Sequence, residues 1–386
     1  MEHLDTKLSD KYDLNKTRVY ISGTQALVRL CLMQAERDLK MGLNTAGYVS
    51  GYRGSPLGGL DQQFTKAQKV LSKAQIIFEP GLNEDIAATA IWGTQQAELR
   101  GDGKHDGVFA MWYGKGPGVD RSGDVIRHAN LAGTSKNGGV LLLMGDDHTC
   151  ESSTTAHQSE YALVDAMVPI LNPSSVSEII EYGLHGWALS RFSGVWCGLK
   201  CVKDNVESSG SLDLNTDYLK TKIPDGFDMP SDGLNIRLKD HPTTQETRLH
   251  QHKIDAVLAY SRANKLDRTI YTGGAKRSIG IISTGKSYMD VLQALEELGI
   301  DETHADKIGL SLYKVAMPWP LEPFAVTEFS KGLSQIIVVE EKRGLIEDQL
   351  RNILYGIVPN PTIIGKKSET GTTLFQAELA LNPMQI

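Results

Sequence analysis

The stretch with the most chemical content is Glu79–Gln96, EPGLNEDIAATAIWGTQQ. Glu84 opens a run that is otherwise small and apolar. Pro80-Gly81 bends the chain just before it, and Asn83 has the side chain of a helix N-cap. A carboxyl held out of water there can share a proton with a buried ring nitrogen instead of remaining a solvated anion. Taken on its helix alone, the same group could simply complement the helix dipole. Ile86, Ala90, Gly93 and Ala97 recur at helical spacing, flanked by Ala87, Ile91 and Thr94. This face is therefore predicted to be buried, its Ala and Gly admitting another backbone at close range.

Three polar stretches could share that chemistry: Gly51–Asp61 (GYRGSPLGGLD), Tyr113–Asp124 (YGKGPGVDRSGD) and Gly145–Ser159 (GDDHTCESSTTAHQS). Each follows an apolar run that reads as a strand. Ligands of open α/β sheets sit beyond the carboxyl ends of strands, and glycine lets a backbone approach them. The three are thus predicted to be loops rimming one pocket. Asp146, Asp147, His148 and His157 fit no standard ligand spacing, so no metal is assigned to them.

Two other motifs are weighed and set below these. Gly280–Ser287 (GIISTGKS) matches the phosphate-loop pattern, and residues 336–341 (IIVVEE) resemble its acidic partner strand. Ile281 and Ile282 continue a strand, however, leaving only Thr284-Gly285-Lys286 to turn toward a phosphate. Gly101-Asp102-Gly103, with Asn130 further on, looks like a metal–diphosphate motif but follows a polar helix end where a buried strand is needed.

The elements that must hold these residues alternate. Helices are predicted over 23–41, 60–72, 122–131 and 176–190, with strands at 46–50, 75–78, 108–112, 139–144 and 194–202. Such alternation implies a parallel sheet with helices on both faces. Residues 204–245, with Pro224, Pro230 and Pro242, read as an excursion, and 244–264 as a helix. A second α/β unit follows a break at Tyr271-Thr-Gly-Gly274, with strands at 278–283, 308–314 and 335–340 and helices at 288–298, 322–331 and 345–355. The predicted division is 1–205, a connector 206–270, and 271–386.

The 386 residues carry 40 basic and 47 acidic side chains, a net charge of −7. No basic tract stands out, which argues against nucleic acid or an anionic membrane as partner. No apolar run approaches the roughly 18 residues of a membrane span. The start, MEHLDTKLSDKYDLNK, is polar and unlike a signal peptide. Cys31, Cys150, Cys197 and Cys201 are scattered and read as thiols of a cytoplasmic protein, not as iron–sulfur ligands.

With these segments in view, SGTQALVRL (22–30), NTAGYVSGYRGSPLGGLD (44–61), NEDIAATAIWGTQQ (83–96), GKGPGVDRSGDV (114–125) and GDDHTCESSTTAHQSE (145–160) resemble the amino-terminal part of the large fused indolepyruvate ferredoxin oxidoreductases, thiamine-diphosphate-dependent 2-oxoacid:ferredoxin oxidoreductases. Residues 278–355 resemble the second domain of the same enzymes. The resemblance implies a pyrimidine-binding α/β domain followed by a smaller transketolase C-terminal-like α/β domain. Glu84 matches the glutamate that bonds N1′ of the aminopyrimidine; a proton held there favours the imino tautomer that activates the thiazolium. The resemblance further assigns Gly54, Ser55, Pro56, Gly116 and Gly118 to the cofactor, and Ser55, His157 and Gln158 to the substrate. His157-Gln158 lies about where pyruvate-type relatives place an arginine, a departure that fits a bulkier 2-oxo acid. Magnesium and the diphosphate, the iron–sulfur clusters, coenzyme A and ferredoxin are implied for the complete enzyme, held by parts outside this chain, with a homodimer as the expected assembly. A non-catalytic assembly module and an ATPase built on the Gly280 loop stay open as alternatives.

Overall fold

Val140–Gly145, VLLLMG, has no polar side chain, and every residue of it is buried, as befits a central strand covered on both faces. The computed structural model describes residues 7–151, 155–214 and 220–386, so part of the Gly145–Ser159 stretch (152–154), the first six residues of the polar start (1–6) and part of the excursion (215–219) lie outside the described residues. The strands of the first unit are β1 (Arg18–Ser22), β2 (Thr45–Gly51), β3 (Ile76–Phe78), β4 (Gly107–Lys115), β5 (Val140–Gly145), β6 (Ile170–Leu171), β7 (Cys197–Cys201) and β8 (Ser209–Asp213). Six of them form a parallel sheet of order β3-β2-β4-β5-β7-β6.

Side chains alternate across this sheet with the period of a strand. Leu141 and Leu143 join Phe109, Met111 and Tyr113 of β4 in the core on one face. Val140, Leu142 and Met144 join Ala110 and Trp112 on the other. The first face is covered by α1 (Gly23–Lys40), α2 (Leu60–Lys73) and α7 (Val176–Ser193), the second by α3 (Glu84–Thr94), α5 (Gly123–Ala132) and α6 (Glu160–Asp165). A further short helix, α4 (Gly116–Arg121), leads from β4 toward α5. Helix α1 starts at a capping box: Ser22 Oγ accepts from the Gln25 amide, and Gln25 Oε1 from the Ser22 amide.

Beyond β7 the excursion is more ordered than its composition implies. After α8 (Lys203–Val206), β8 returns to pair antiparallel with β1. Helix α9 (Pro242–Arg248), a π turn (Leu249–Lys253) and α10 (Ile254–Asn264) follow. Lys253 is buried with its ammonium donating to the carbonyls of Gly194, Leu131 and Asn130 at 3.1, 3.3 and 3.4 Å. It thereby serves the carboxyl ends of α5 and α7, where a cation is favoured.

The second unit holds β9 (Arg268–Thr272), β10 (Ile279–Thr284), β11 (Leu310–Val315), β12 (Gln335–Val339) and β13 (Thr362–Ile364), in the order β13-β12-β10-β11-β9. Strand β9, which precedes the predicted break, runs antiparallel along β11 at the edge of an otherwise parallel sheet. Helices α11 (Gly285–Glu297) and α12 (Glu302–Ile308) cover one face, and α13 (Pro323–Ser330) and α14 (Leu345–Leu354) the other. The units are joined by backbone bonds, Ile170 N to Trp319 O at 2.8 Å and Asn172 N to Ala316 O at 2.9 Å, and Ala316 and Met317 enter the first unit's core. A buried Lys314–Glu178 ion pair crosses the same seam.

Helix α3 is rotated from the orientation read from its sequence, burying the Ala87 and Ile91 flank of the predicted face and turning Ile86 and Gly93 outward. Its inner side is Glu84, Ala87, Ala88 and Ile91. Ile86 is 50 % exposed, and a Cβ added to Gly93 would meet open space. Both faces are small and apolar, so helical spacing alone cannot choose between them. What fixes the choice is the entry. Glu79 N bonds Val49 O at 3.0 Å and Gly81 N bonds Gly51 O at 2.8 Å, holding the chain against β2 up to the Asn83 cap.

Candidate functional site

The segments after β2, β4 and β5 emerge at the same carboxyl edge, because these strands are parallel neighbours. Into this edge Asn83 delivers Glu84: its side-chain oxygen accepts from the Ile86 amide at 2.9 Å and starts the helix there. Trp112, on the inner face of β4, donates its indole N–H to the Glu84 carbonyl at 3.2 Å. The Glu84 side chain is 8 % exposed, and among the described residues none donates a hydrogen bond to its carboxylate. Neither carboxylate oxygen is fully enclosed, so the tip of the side chain opens on the edge of the sheet. At the far end of α3, Gln95 accepts from the amides of Ser135 and Gly139 and donates to Val108 O, fixing the helix to the sheet.

The segment after β4 is a helix at Gly116–Arg121, where a loop was expected. Pro117 is tolerated because the first helical N–H groups need no partner. Gly118 lies against Glu84: a Cβ there would stand 2.6 Å from Glu84 Cγ and 2.8 Å from Oε1. Gly116 is likewise filled from outside by the ring of His157. Arg121 leaves the helix to pair with Asp85 at 2.8 Å, tying α4 to α3.

His157, which the resemblance assigned to the substrate, is paired within the protein. Its Nε2 meets Asp120 Oδ2 at 2.7 Å, and its Nδ1 meets Ser159 Oγ at 3.2 Å and Asp146 Oδ1 at 3.5 Å. Hydrogen bonding to buried Asp146, and then to Asp120, pushes the imidazole up to about 9, so the ring is a cation between two carboxylates. Asp146 in turn accepts from Ser159 N at 2.9 Å and Ser159 Oγ at 2.5 Å. Burial opposes its charge, but His157 and Lys200 hold its carboxyl below the usual range. Lys200, on β7, is buried and pairs with Glu160. A lysine inside the apolar strand CGLKC is itself a sequence signal that buried carboxylates must lie opposite.

Gln158 also has another partner. Its Oε1 accepts from Arg343 N at 3.3 Å and Arg343 Nε at 3.2 Å, and the Arg343 guanidinium lies 3.7 Å over the Tyr161 ring. Lys342 donates to His148 O at 2.6 Å. The second unit thus grips the segment after β5 on both sides of its undescribed residues. Ser55 and Pro56 line a cavity of about 60 Å³ with Asp146, His148, Lys203 and Lys286, Pro56 facing Gly145, while Gly54 rests on the Lys115 stem. The structure therefore joins Glu84, Gly118, Gly116 and His157 in one chain of contacts, and seats Ser55, Pro56 and Gln158 beside it.

The phosphate-loop pattern is spent on the fold. Ile279–Thr284 is strand, Gly280 is filled against Phe329 and Leu333, and Lys286 donates to Asp290 Oδ2 and Leu381 O, each at 2.6 Å. Glu340, of the acidic pair after β12, accepts from the amides of Leu345, Ile346 and Glu347 at the start of α14.

The fold has parallels among solved structures. Over 96 % of the chain it matches a 2-oxoglutarate:ferredoxin oxidoreductase from Magnetococcus marinus, at 14 % identity, a TM-score of 0.67 and 64 % of that chain. It also matches a split-gene transketolase at a TM-score of 0.52, 12 % identity and 89 % of each chain. The protein thus has the α/β fold of the 2-oxoacid:ferredoxin oxidoreductases and transketolases.

By sequence the chain is similar to indolepyruvate oxidoreductases. The model of the indolepyruvate oxidoreductase domain matches residues 269–386. Indolepyruvate oxidoreductase subunit IorA of Pyrococcus abyssi is 25 % identical over 358 residues, 92 % of this chain and 50 % of the relative. The IorA subunit of Methanothermobacter thermautotrophicus is 22 % identical over 339 residues, 86 % of this chain and 48 % of the relative. The chain spans about half the length of these relatives. Among the described residues no helix is long and apolar enough to cross a membrane.

Proposed function

We propose that this chain is the aminopyrimidine-binding part of a 2-oxoacid:ferredoxin oxidoreductase whose substrate is indolepyruvate or a related arylpyruvate. The observation that carries the reading is Glu84: a mostly buried residue at the carboxyl edge of a parallel sheet, whose carboxylate has no protein donor and opens on that edge, backed by a glycine that leaves room for nothing larger. Such a group suits a protonated ring nitrogen of the thiamine aminopyrimidine. Thiamine diphosphate, when bound, supplies a carbon nucleophile and an electron sink for decarboxylation of the 2-oxo acid.

In this reading, the first unit, which runs on through β8 and α10, is the pyrimidine-binding domain, and the second, from β9 on, is the domain that braces it. Glu84 holds a proton at the ring nitrogen. Gly118 and Gly116 let the Glu84 and His157 side chains pack against α4 beside the ring, and Gly54, Ser55 and Pro56 close the pocket's other side, with Ser55 offering a hydroxyl to the substrate. The diphosphate with its magnesium, the iron–sulfur clusters, the coenzyme A site and the ferredoxin contact belong to other parts of the complete enzyme, which assembles as a dimer. The test is Glu84→Gln in the assembled enzyme. The amide keeps the shape but cannot exchange the proton, so decarboxylation falls by at least about 10²-fold, within the range general acid–base groups supply, while assembly is retained. Full turnover in that variant ends the assignment.

A further inference from the structure

We propose that His157 is a positioning residue: its ring latches α4 to the segment after β5 and thereby sets where Gly118 holds the Glu84 side chain. This rests on the reading of Glu84 given above. Four observations meet here. The ring bridges Asp120, on α4, and the buried Asp146–Ser159 pair that follows β5. It fills the space that a side chain on Gly116 would need. Asp120 is two residues past Gly118, the residue in contact with Glu84. Asp146 is itself immobilised by Ser159 and by Lys200, so the far end of the latch belongs to the sheet. The line of force runs from β5 through Asp146, His157 and Asp120 into α4, and from Gly118 to the carboxylate.

The chemistry of the ring makes this specific. Both nitrogens face acceptors, the Asp120 carboxylate on one side and Ser159 Oγ with Asp146 on the other. Ser159 Oγ spends its own proton on Asp146, so it takes one from the ring. Only the doubly protonated imidazole donates both ways. The charged groups facing it are Asp120 from α4 and Asp146 from the segment after β5, with Lys200 of β7 behind Asp146; His148, also behind it, is kept neutral by burial, which lowers its pKa to about 3. The latch is complete while the ring is charged. The folded ring titrates near 9, above the ordinary 6.5 of the unfolded chain, so the contribution is full below about 6.5 and lost as pH rises through about 9.

The test uses this chain for structure and the assembled enzyme for function. Hydrogen exchange is followed at one pH near 7 in wild type, His157→Ala, Asp120→Asn and the double variant; Asp120, 59 % exposed, can be changed without threatening the fold. Amides of residues 116–122 are expected to exchange about 5-fold or more faster in each single variant, with the double variant no faster than the worse single, and those of β7 unchanged. The gap in melting temperature between wild type and His157→Ala is expected to narrow between pH 6.5 and pH 9.5. In the assembled enzyme His157→Ala lowers kcat with little change in the KM for the 2-oxo acid. Unaltered exchange at 116–122 in both single variants overturns the latch, as does a rise in KM with kcat preserved, which would make His157 a substrate contact. Neither result touches Glu84, whose own test is the Gln variant.

Discussion

Gly118→Ala separates what the fold needs from what the carboxylate needs. The added Cβ would lie 2.6 Å from Glu84 Cγ and 2.8 Å from Oε1. Carbon atoms rest about 3.5–4.0 Å apart, so one side must yield by about 1 Å. The partner atoms belong to a side chain that can rotate, whereas α4 is pinned by the Arg121–Asp85 pair and by His157. The carboxylate moves. For stability the effects oppose: overpacking costs about 1–3 kcal/mol at most, and less when a flexible tip gives way, while Ala in place of Gly in a helix returns up to about 1 kcal/mol. The net is near zero to about 1 kcal/mol destabilising. For chemistry nothing offsets a displaced proton carrier, and a misplacement of about 1 Å costs on the order of 10²-fold, about 2.7 kcal/mol of barrier. The assay is urea unfolding of the chain beside steady-state turnover of the assembled enzyme. Gly123→Ala, whose added Cβ meets nothing within 4 Å, is the control. Wild-type turnover in Gly118→Ala with unchanged unfolding refutes the contact and the reasoning built on it.

Other outcomes follow from the same geometry. Glu84→Gln removes turnover and keeps assembly, read by activity and by gel filtration. Asp38→Ala strips the partner from the Arg191 guanidinium, which it holds at 2.6 and 2.7 Å while also accepting from Gln34 and Thr45. An unpaired buried charge costs about 3–5 kcal/mol, so chemical denaturation should show a loss of that size, partly recovered in Asp38→Ala with Arg191→Met; a loss below about 1 kcal/mol would contradict it. Titration calorimetry with Mg-ATP should give no measurable heat of binding in wild type or Lys286→Ala, since that lysine is already engaged; a wild-type affinity lost in the variant would revive the ATPase reading. The pH-dependent narrowing of the His157→Ala melting gap, described above, completes the set.

Much of this was legible from residue order. The apolar runs that became β2, β4, β5 and β7 announce a parallel sheet, and a parallel sheet brings the ends of neighbouring strands together; the three polar segments had to meet. Asn83 signalled the start of α3. The facing of α3 was not legible, because alanine and glycine on both sides leave no contrast, and the decision lay in the bonds from Gly81 and Glu79 back to β2. Strand β9 and the pairing of β8 with β1 were hidden for a related reason: edge strands need little burial, so they carry little pattern. His157 and Gln158 could be marked as polar residues near the site, but their partners, Asp120 and Arg343, lie 37 and 185 residues away. Such distance erases any local trace.

The carboxylate of Glu340 carries one more implication. Helix beginnings are places where proteins often receive a guest phosphate, and at α14 the chain fills that place with its own side-chain carboxyl, whose charge burial opposes. Vacating that seat, as in Glu340→Ala, would leave three amides bare and would unsettle the helix long before it admitted a visitor. The look of a nucleotide binder in this half of the sequence is thus a by-product of how the domain finishes its own hydrogen bonding.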